Sequence, residues 1–155
     1  METPEFTRIL SRLQKQCSKA EYCSADVFRK ALKAFEGDRE AAARVLSELV
    51  KDRYVDDSRY ASAFAREKAS IQGWGPVKIR FQLRAKGIPE DAITAALADI
   101  ESQKADDKLE RLLQTKSRSL EGDPQKRLKL LKFGLSRGYE YDAVEAALAK
   151  LSSKR

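Results

Sequence analysis

The sequence predicts an all-α protein made of three tandem three-helix repeats, at residues 1–53, 54–103 and 104–155. Three observations point there. Apolar residues recur at helical spacing along the chain. Prolines and glycines fall between those runs, where helices begin and stop. Finally, Lys86-Gly87-Ile88-Pro89-Glu90-Asp91-Ala92-Ile93 lines up with Arg137-Gly138-Tyr139-Glu140-Tyr141-Asp142-Ala143-Val144 at an offset of 51. The same offset backwards sets Ala41, Ala42 and Leu46 against Ala92, Ile93 and Leu97. Alanines recurring at matched helical positions let neighbouring helices approach closely.

Nine helices follow in order. The first runs from Pro4 to about Ser18, with Phe6, Ile9, Leu10 and Leu13 on one face. Ser24 is expected to cap a second, through Phe35, and Asp38 a third, through Lys51. Asp56 or Asp57 opens the fourth, to about Ile71, with Tyr60, Ala61, Phe64 and Lys68 in helical spacing. The fifth spans Pro76–Lys86 and the sixth Pro89 to about Ser102. The last three cover Asp106–Leu120, Pro124–Arg137 and Glu140–Leu151. All four prolines are placed in first helical turns, where the missing N–H is tolerated. Gly134 alone of the glycines falls inside a helical run.

One stretch speaks against helix. Val77 to Lys86 alternates apolar and polar residues, the pattern of a half-buried strand. Pro76 and Gly87 bracket it as a helix, however, and its Lys, Arg, Gln, Leu and Ala are good helix formers. As a helix it places Ile79 and Leu83 on one face and Val77 and Phe81 on another. Whether Phe81 packs or stands exposed is left open.

With 31 Lys plus Arg against 24 Asp plus Glu, the net charge is +7. Such a balance favours polyanions, although Lys and Arg stems also solvate helix faces without any partner. The positive charge is patterned. Arg29 and Lys33 lie in an acid-free window of the second helix. Lys78, Arg80, Arg84 and Lys86 do so in the fifth, and Lys126, Lys129 and Lys132 in the eighth. Stacked repeats would turn these windows into a positive track, with binding that weakens steeply with salt. Trp74 and Phe81 could stack on bases, although a loop Trp more often packs on a neighbouring helix.

Catalytic and metal chemistry find little support. The chain has no histidine, so no Ser-His-Asp or Cys-His nucleophile can be written. Cys17 and Cys23 alone cannot close a zinc site and read as small buried residues of a reducing compartment. Asp56-Asp57 reads as a helix start, and no phosphate-binding glycine loop occurs. No cofactor or metal is expected. The N-terminal residues lack a signal-peptide pattern and no apolar run approaches a membrane span, so a soluble, cytoplasmic protein is expected.

Tyr54-Val55-Asp56-Asp57-Ser58-Arg59-Tyr60-Ala61, then Phe64, Gly75-Pro76, Lys78-Ile79-Arg80, Leu83 and Lys86-Gly87-Ile88, resembles the RecX family of recombination regulators. The likeness is densest over 54–88. It is looser at Cys17-Ser18-Lys19-Ala20-Glu21 and at Arg137-Gly138-Tyr139, and the first repeat is richer in alanine than many relatives. The resemblance implies helical repeats stacked into an elongated, curved rod. It further implies a non-enzymatic protein of DNA repair that binds the RecA filament on single-stranded DNA and restrains ATPase, strand exchange and filament growth. The family motif falls on Asp57, Arg59, Tyr60, Phe64, Gly75, Ile79, Leu83, Lys86 and Gly87. Of these, Asp57 reads as a cap, Ile79 and Leu83 as core, and Gly87 as a helix stop. The expected contacts to RecA or DNA are Lys78, Arg80, Arg84 and Lys86, flanked by Lys126, Lys129, Lys132, Arg29 and Lys33. A monomer is expected, with binding to double-stranded DNA left open. The rival readings are a sequence-independent DNA binder acting without RecA and a scaffold module with solvated basic faces.

Overall fold

The computed structural model describes residues 3–101 and 105–153. Among them are nine α-helices and no strand. The first unit comprises α1 (Pro4–Lys19), α2 (Ser24–Ala34) and α3 (Arg39–Lys51). The second comprises α4 (Asp57–Ser70), α5 (Pro76–Ala85) and α6 (Glu90–Glu101), and the third α7 (Ala105–Ser119), α8 (Lys126–Ser136) and α9 (Tyr141–Ser153). Extensive helix–helix packing stays within these triplets, and each has its own core. The chain exposes 9932 Å². A compact monomer of 17.5 kDa exposes about 7,900 Å². The excess is what an elongated stack of small units produces.

The helical faces follow the apolar spacing. Phe6, Ile9, Leu13 and Cys17 line the buried side of α1. In α4 the buried positions Ala61, Ala65 and Ala69 recur every fourth residue, and their small side chains let α6 approach through Ala92, Ile93 and Ala96. Gly134 has the same purpose in α8: a Cβ there would meet the Val144 methyls at 2.8 Å. The alternating stretch is the helix α5, with Ile79 and Leu83 fully buried while Val77 and Phe81 stay 47% and 69% exposed. Phe81 therefore faces solvent.

The second helix of every unit stops in the same way. Ile88 N–H donates to the Leu83 carbonyl, Tyr139 N–H to Gly134, and Gly37 N–H to Leu32, satisfying carbonyls that the helix end would orphan. The residue that turns left-handed is Gly87 in the second unit (φ 76°) and Gly138 in the third (φ 93°). In the first unit it is Glu36 (φ 54°), a residue that carries a steric cost there.

Three helix starts differ from the sequence expectation. Cys23, not Ser24, is the N-cap of α2, and its side chain makes no capping bond. Pro89 immediately precedes α6, and Pro124 lies in the turn ahead of α8, so only Pro4 and Pro76 occupy first helical positions. Asp56, by contrast, accepts from Arg59 N–H at 3.0 Å and is the cap of α4. The expected end of the sixth helix at Ser102 lies outside the described residues.

Two junctions join the units in chain order. At the first, Asp57 Oδ1 accepts from Ser24 N–H at 2.8 Å, supplying the cap that Cys23 cannot. Arg59 Nε donates to Glu21 at 2.6 Å while its guanidinium also reaches the Arg53 carbonyl. Lys86 donates to both oxygens of Asp26, at 3.2 and 3.3 Å. The cores interlock as well, since Cys23 packs into the second core and Val55 into the first. At the second junction, Gly75 N–H donates to the Arg137 carbonyl at 2.7 Å and Val77 N–H to the Gly138 carbonyl at 2.8 Å. These segments touch because both contribute glycine. A Cβ on Gly75 would lie 2.5 Å from the Gly138 oxygen, and one on Gly138 would collide with Lys78.

Candidate binding surface

The acid-free windows of the sequence are not acid-free in space. Arg80 and Arg84 on α5 both reach back to Glu90, the first residue of α6, at 2.7 and 2.6 Å. Hydrogen bonds from Arg84, followed by the nearby guanidinium charges, hold the Glu90 carboxyl below its usual range. Lys86 is engaged by Asp26 of the preceding unit at 3.2 Å, and Arg29 pairs with the same carboxylate. On α8, Lys126 faces Glu121 at 3.7 Å and Arg127 meets Glu145 at 2.6 Å. Lys129 binds Asp123 at 2.5 Å, and that bond is the main cause of the depressed Asp123 pKa. These pairs are mostly exposed, so they orient the side chains more than they stabilise the fold.

Three of the nominated cations carry no such partner. Among the described residues Lys33, Lys78 and Lys132 form no ion pair, and Lys78 lies 4.4 Å from the Trp74 ring centroid. Lys68 approaches the same ring at 5.1 Å and Phe64 at 5.4 Å. Trp74 itself packs edge-on against Phe64, whose ring stacks near Tyr60 at 5.9 Å. Burial pushes the Tyr60 phenol up to about 12, with further upward contributions from Cys23 and the acids around it. With lysines on its ring, Trp74 is a platform for cations, while Phe81 is the aromatic left open on α5.

A family model, RecX, second three-helix domain, matches residues 56–97. The chain is 30% identical over 113 residues to the regulatory protein RecX of Bacillus cytotoxicus, covering 72% of this chain and 42% of that protein. It is 28% identical over 120 residues to the regulatory protein RecX of Oceanobacillus iheyensis, covering 76% and 44%. The chain belongs to the RecX family. It nevertheless spans less than half the length of the curated relatives it matches. Among solved structures, the crystal structure of RecX from Lactobacillus salivarius superposes with a TM-score of 0.82 at 19% identity, covering 96% of this chain and 97% of that one. A second crystal structure, of a regulatory protein RecX, gives 0.84 at 23% identity over 94% and 72%. The helical-repeat rod is thus a shared fold across the whole array.

The RecX match at 56–97 covers α4, α5 and most of α6, the unit whose ends make both junctions. Its motif residues hold that unit together and fasten it to its neighbours. Ile79 and Leu83 are core, and Gly87 ends α5 as expected. Asp57 departs from the expectation of a cap on its own helix, because its carboxylate caps α2 across the first junction. Arg59 clamps the same junction, and Gly75 belongs to the second.

What sequence reasoning missed lies on α7. Lys108, Arg111 and Lys116, none of them among the contacts expected from the sequence, converge with Arg137 on a groove of about 700 Å³. Lys116 and Arg137 both approach the Phe133 ring, at 5.5 and 5.2 Å. The spacing of Lys108, Arg111 and Thr115 on one helical face, with Lys116 beside them, was the available signal.

Proposed function

We propose that this chain is a non-enzymatic regulator of homologous recombination and DNA repair. It binds in the groove of the RecA filament on single-stranded DNA and restrains ATP hydrolysis, strand exchange and filament growth. The observation that carries this reading is an elongated helical array of the RecX family with a net charge of +7, in which Lys33, Lys78 and Lys132 on the second helices form no ion pair among the described residues. Relatives carry the name regulatory protein, which fits action by occupancy. A filament groove offers phosphates and acidic side chains together, and oriented cations suit both. Lys78, Arg80, Arg84 and Lys86 make the central contacts, flanked by Lys126, Lys129 and Lys132, with Arg29 and Lys33 towards the first unit. Arg80 and Arg84 exchange Glu90 for a partner carboxylate or phosphate on docking. Phe81, exposed between them, adds an apolar contact to the protein wall of the groove.

The test is RecA-catalysed ATP hydrolysis on single-stranded DNA, titrated with this protein. The expected result is a concentration-dependent fall in rate with RecA at saturating ATP. A rate that stays constant while the protein is folded and in excess would overturn the proposal.

A further inference from the structure

We propose that the groove lined by α7, the C-terminal part of α8 and the last residue of α4 is a binding site for the phosphodiester backbone of a single nucleic-acid strand. This site is separate from the second-helix contacts above and does not require RecA. Its wall carries Lys108, Arg111, Lys116 and Arg137, and among the described residues no carboxylate lines it. Among the described residues none of those four cations makes an ion pair, unlike Arg80, Arg84 and Lys129. Glu110 lies on a neighbouring groove that Arg111 also borders, but its carboxylate is taken by Lys150 at 3.0 Å.

The cations are held in place without being neutralised. Phe133 fixes Lys116 and Arg137 through its ring, and a cation–π contact leaves the full charge available. Burial, and then the charge of Arg111, lower the pKa of Lys108, so the groove gathers like charges that a bound anion would relieve. Ser70, Thr115 and Ser119 line it as well, the Ser70 and Ser119 hydroxyls donating to the Arg66 and Lys116 carbonyls while their oxygens' remaining surface stays polar. Arg, Lys, Ser and Thr are the side chains that position a phosphate backbone without reading its bases. The groove is a slot between helices at the second junction, where Gly73 packs on Leu112. A slot of this kind takes the phosphates of one strand, whereas a duplex would bear on its rims. Two guanidinium forks can each take the two free oxygens of a phosphodiester, whose regular repeat along a strand suits a row of cations. Competition by poly-L-glutamate tests this against an acidic peptide.

The experiment is fluorescence anisotropy of the full chain with a labelled dT oligomer of about 16 nucleotides, without RecA, across a salt series. Neutralising Arg111→Gln, Lys116→Gln and Arg137→Gln together is expected to weaken binding at least about tenfold and to lower the salt slope by about 2. A variant confined to α7, Lys108→Gln with Arg111→Gln, is expected to move affinity and slope in the same direction, which guards against misfolding at the Arg137 turn. Removing the same three charges from α1, with Arg8→Gln, Arg12→Gln and Lys15→Gln, is expected to change affinity by less than about twofold beyond its effect on net charge. Unchanged affinity and slope in the folded groove variants would overturn the assignment. So would absence of binding by the native chain, or displacement of the oligomer by poly-L-glutamate as readily as by unlabelled dT. None of these outcomes bears on RecA inhibition, which is read by ATP hydrolysis.

Discussion

Glu36 occupies the left-handed turn that Gly87 and Gly138 occupy in the other two units. A side chain in that conformation costs about 1–2 kcal/mol, part of which glycine returns as entropy in the unfolded chain. Glu36→Gly is therefore expected to stabilise the protein by about 1 kcal/mol in urea denaturation. Gly75→Ala is expected to act in the opposite sense. Its methyl group meets the Gly138 oxygen, so the two backbone bonds of the second junction must stretch, at a cost of about 1–3 kcal/mol. Hydrogen exchange at the Gly75 and Val77 amides would rise in the variant, and unchanged protection would show that the junction tolerates the methyl. Gly87 was legible in the sequence because helix stops are local. The partner of Gly75 was not, since nothing in a linear reading sets residue 75 against residue 138.

At the scale of elements, apolar periodicity carried the reading furthest. Ile79 and Leu83 identified the buried side of α5 even though the stretch alternates like a strand, because Pro76 and Gly87 bound it. Ile79→Ala is expected to cost about 2–5 kcal/mol, measured by thermal or urea unfolding, as for a fully buried large-to-small change. Charge was less legible. An acid-free window says nothing about the acid that the next helix brings back, and Glu90 returns to Arg80 and Arg84 while Asp26 crosses from the first unit to Lys86. Asp56 and Asp57, adjacent in sequence, likewise cap two different helices.

The Asp26–Lys86 contact makes the first junction sensitive to acid. Burial works to raise the Asp26 pKa, but hydrogen bonds from Cys23 and Lys86 and the charges of Lys86 and Arg29 outweigh it and hold the carboxyl low. A depressed carboxylate contributes stability that is complete above its unfolded pKa of about 4 and is lost as pH falls through the lower folded value. Stability should thus fall below about pH 4, and Asp26→Asn should flatten that part of the profile. An unchanged acid limb in Asp26→Asn would assign the effect to other carboxylates.

Over the whole molecule, the repeat organises both shape and charge. Three small cores joined by two junctions give an extended surface, and that surface carries the excess of basic residues. The repeat itself was visible at the offset of 51, since glycine stops and alanine faces recur together. The distribution of free charge was visible only once the units were stacked, because it depends on which lysines and arginines the folded chain leaves without a carboxylate. The most direct measurement is RecA ATP hydrolysis on single-stranded DNA, comparing the native chain with Lys78→Ala, Arg84→Ala, Lys129→Ala and Lys132→Ala combined. The native chain is expected to inhibit, and the folded variant to need about tenfold more protein for half inhibition, equivalent to about 1.4 kcal/mol. Equal inhibition by the variant would contradict the account.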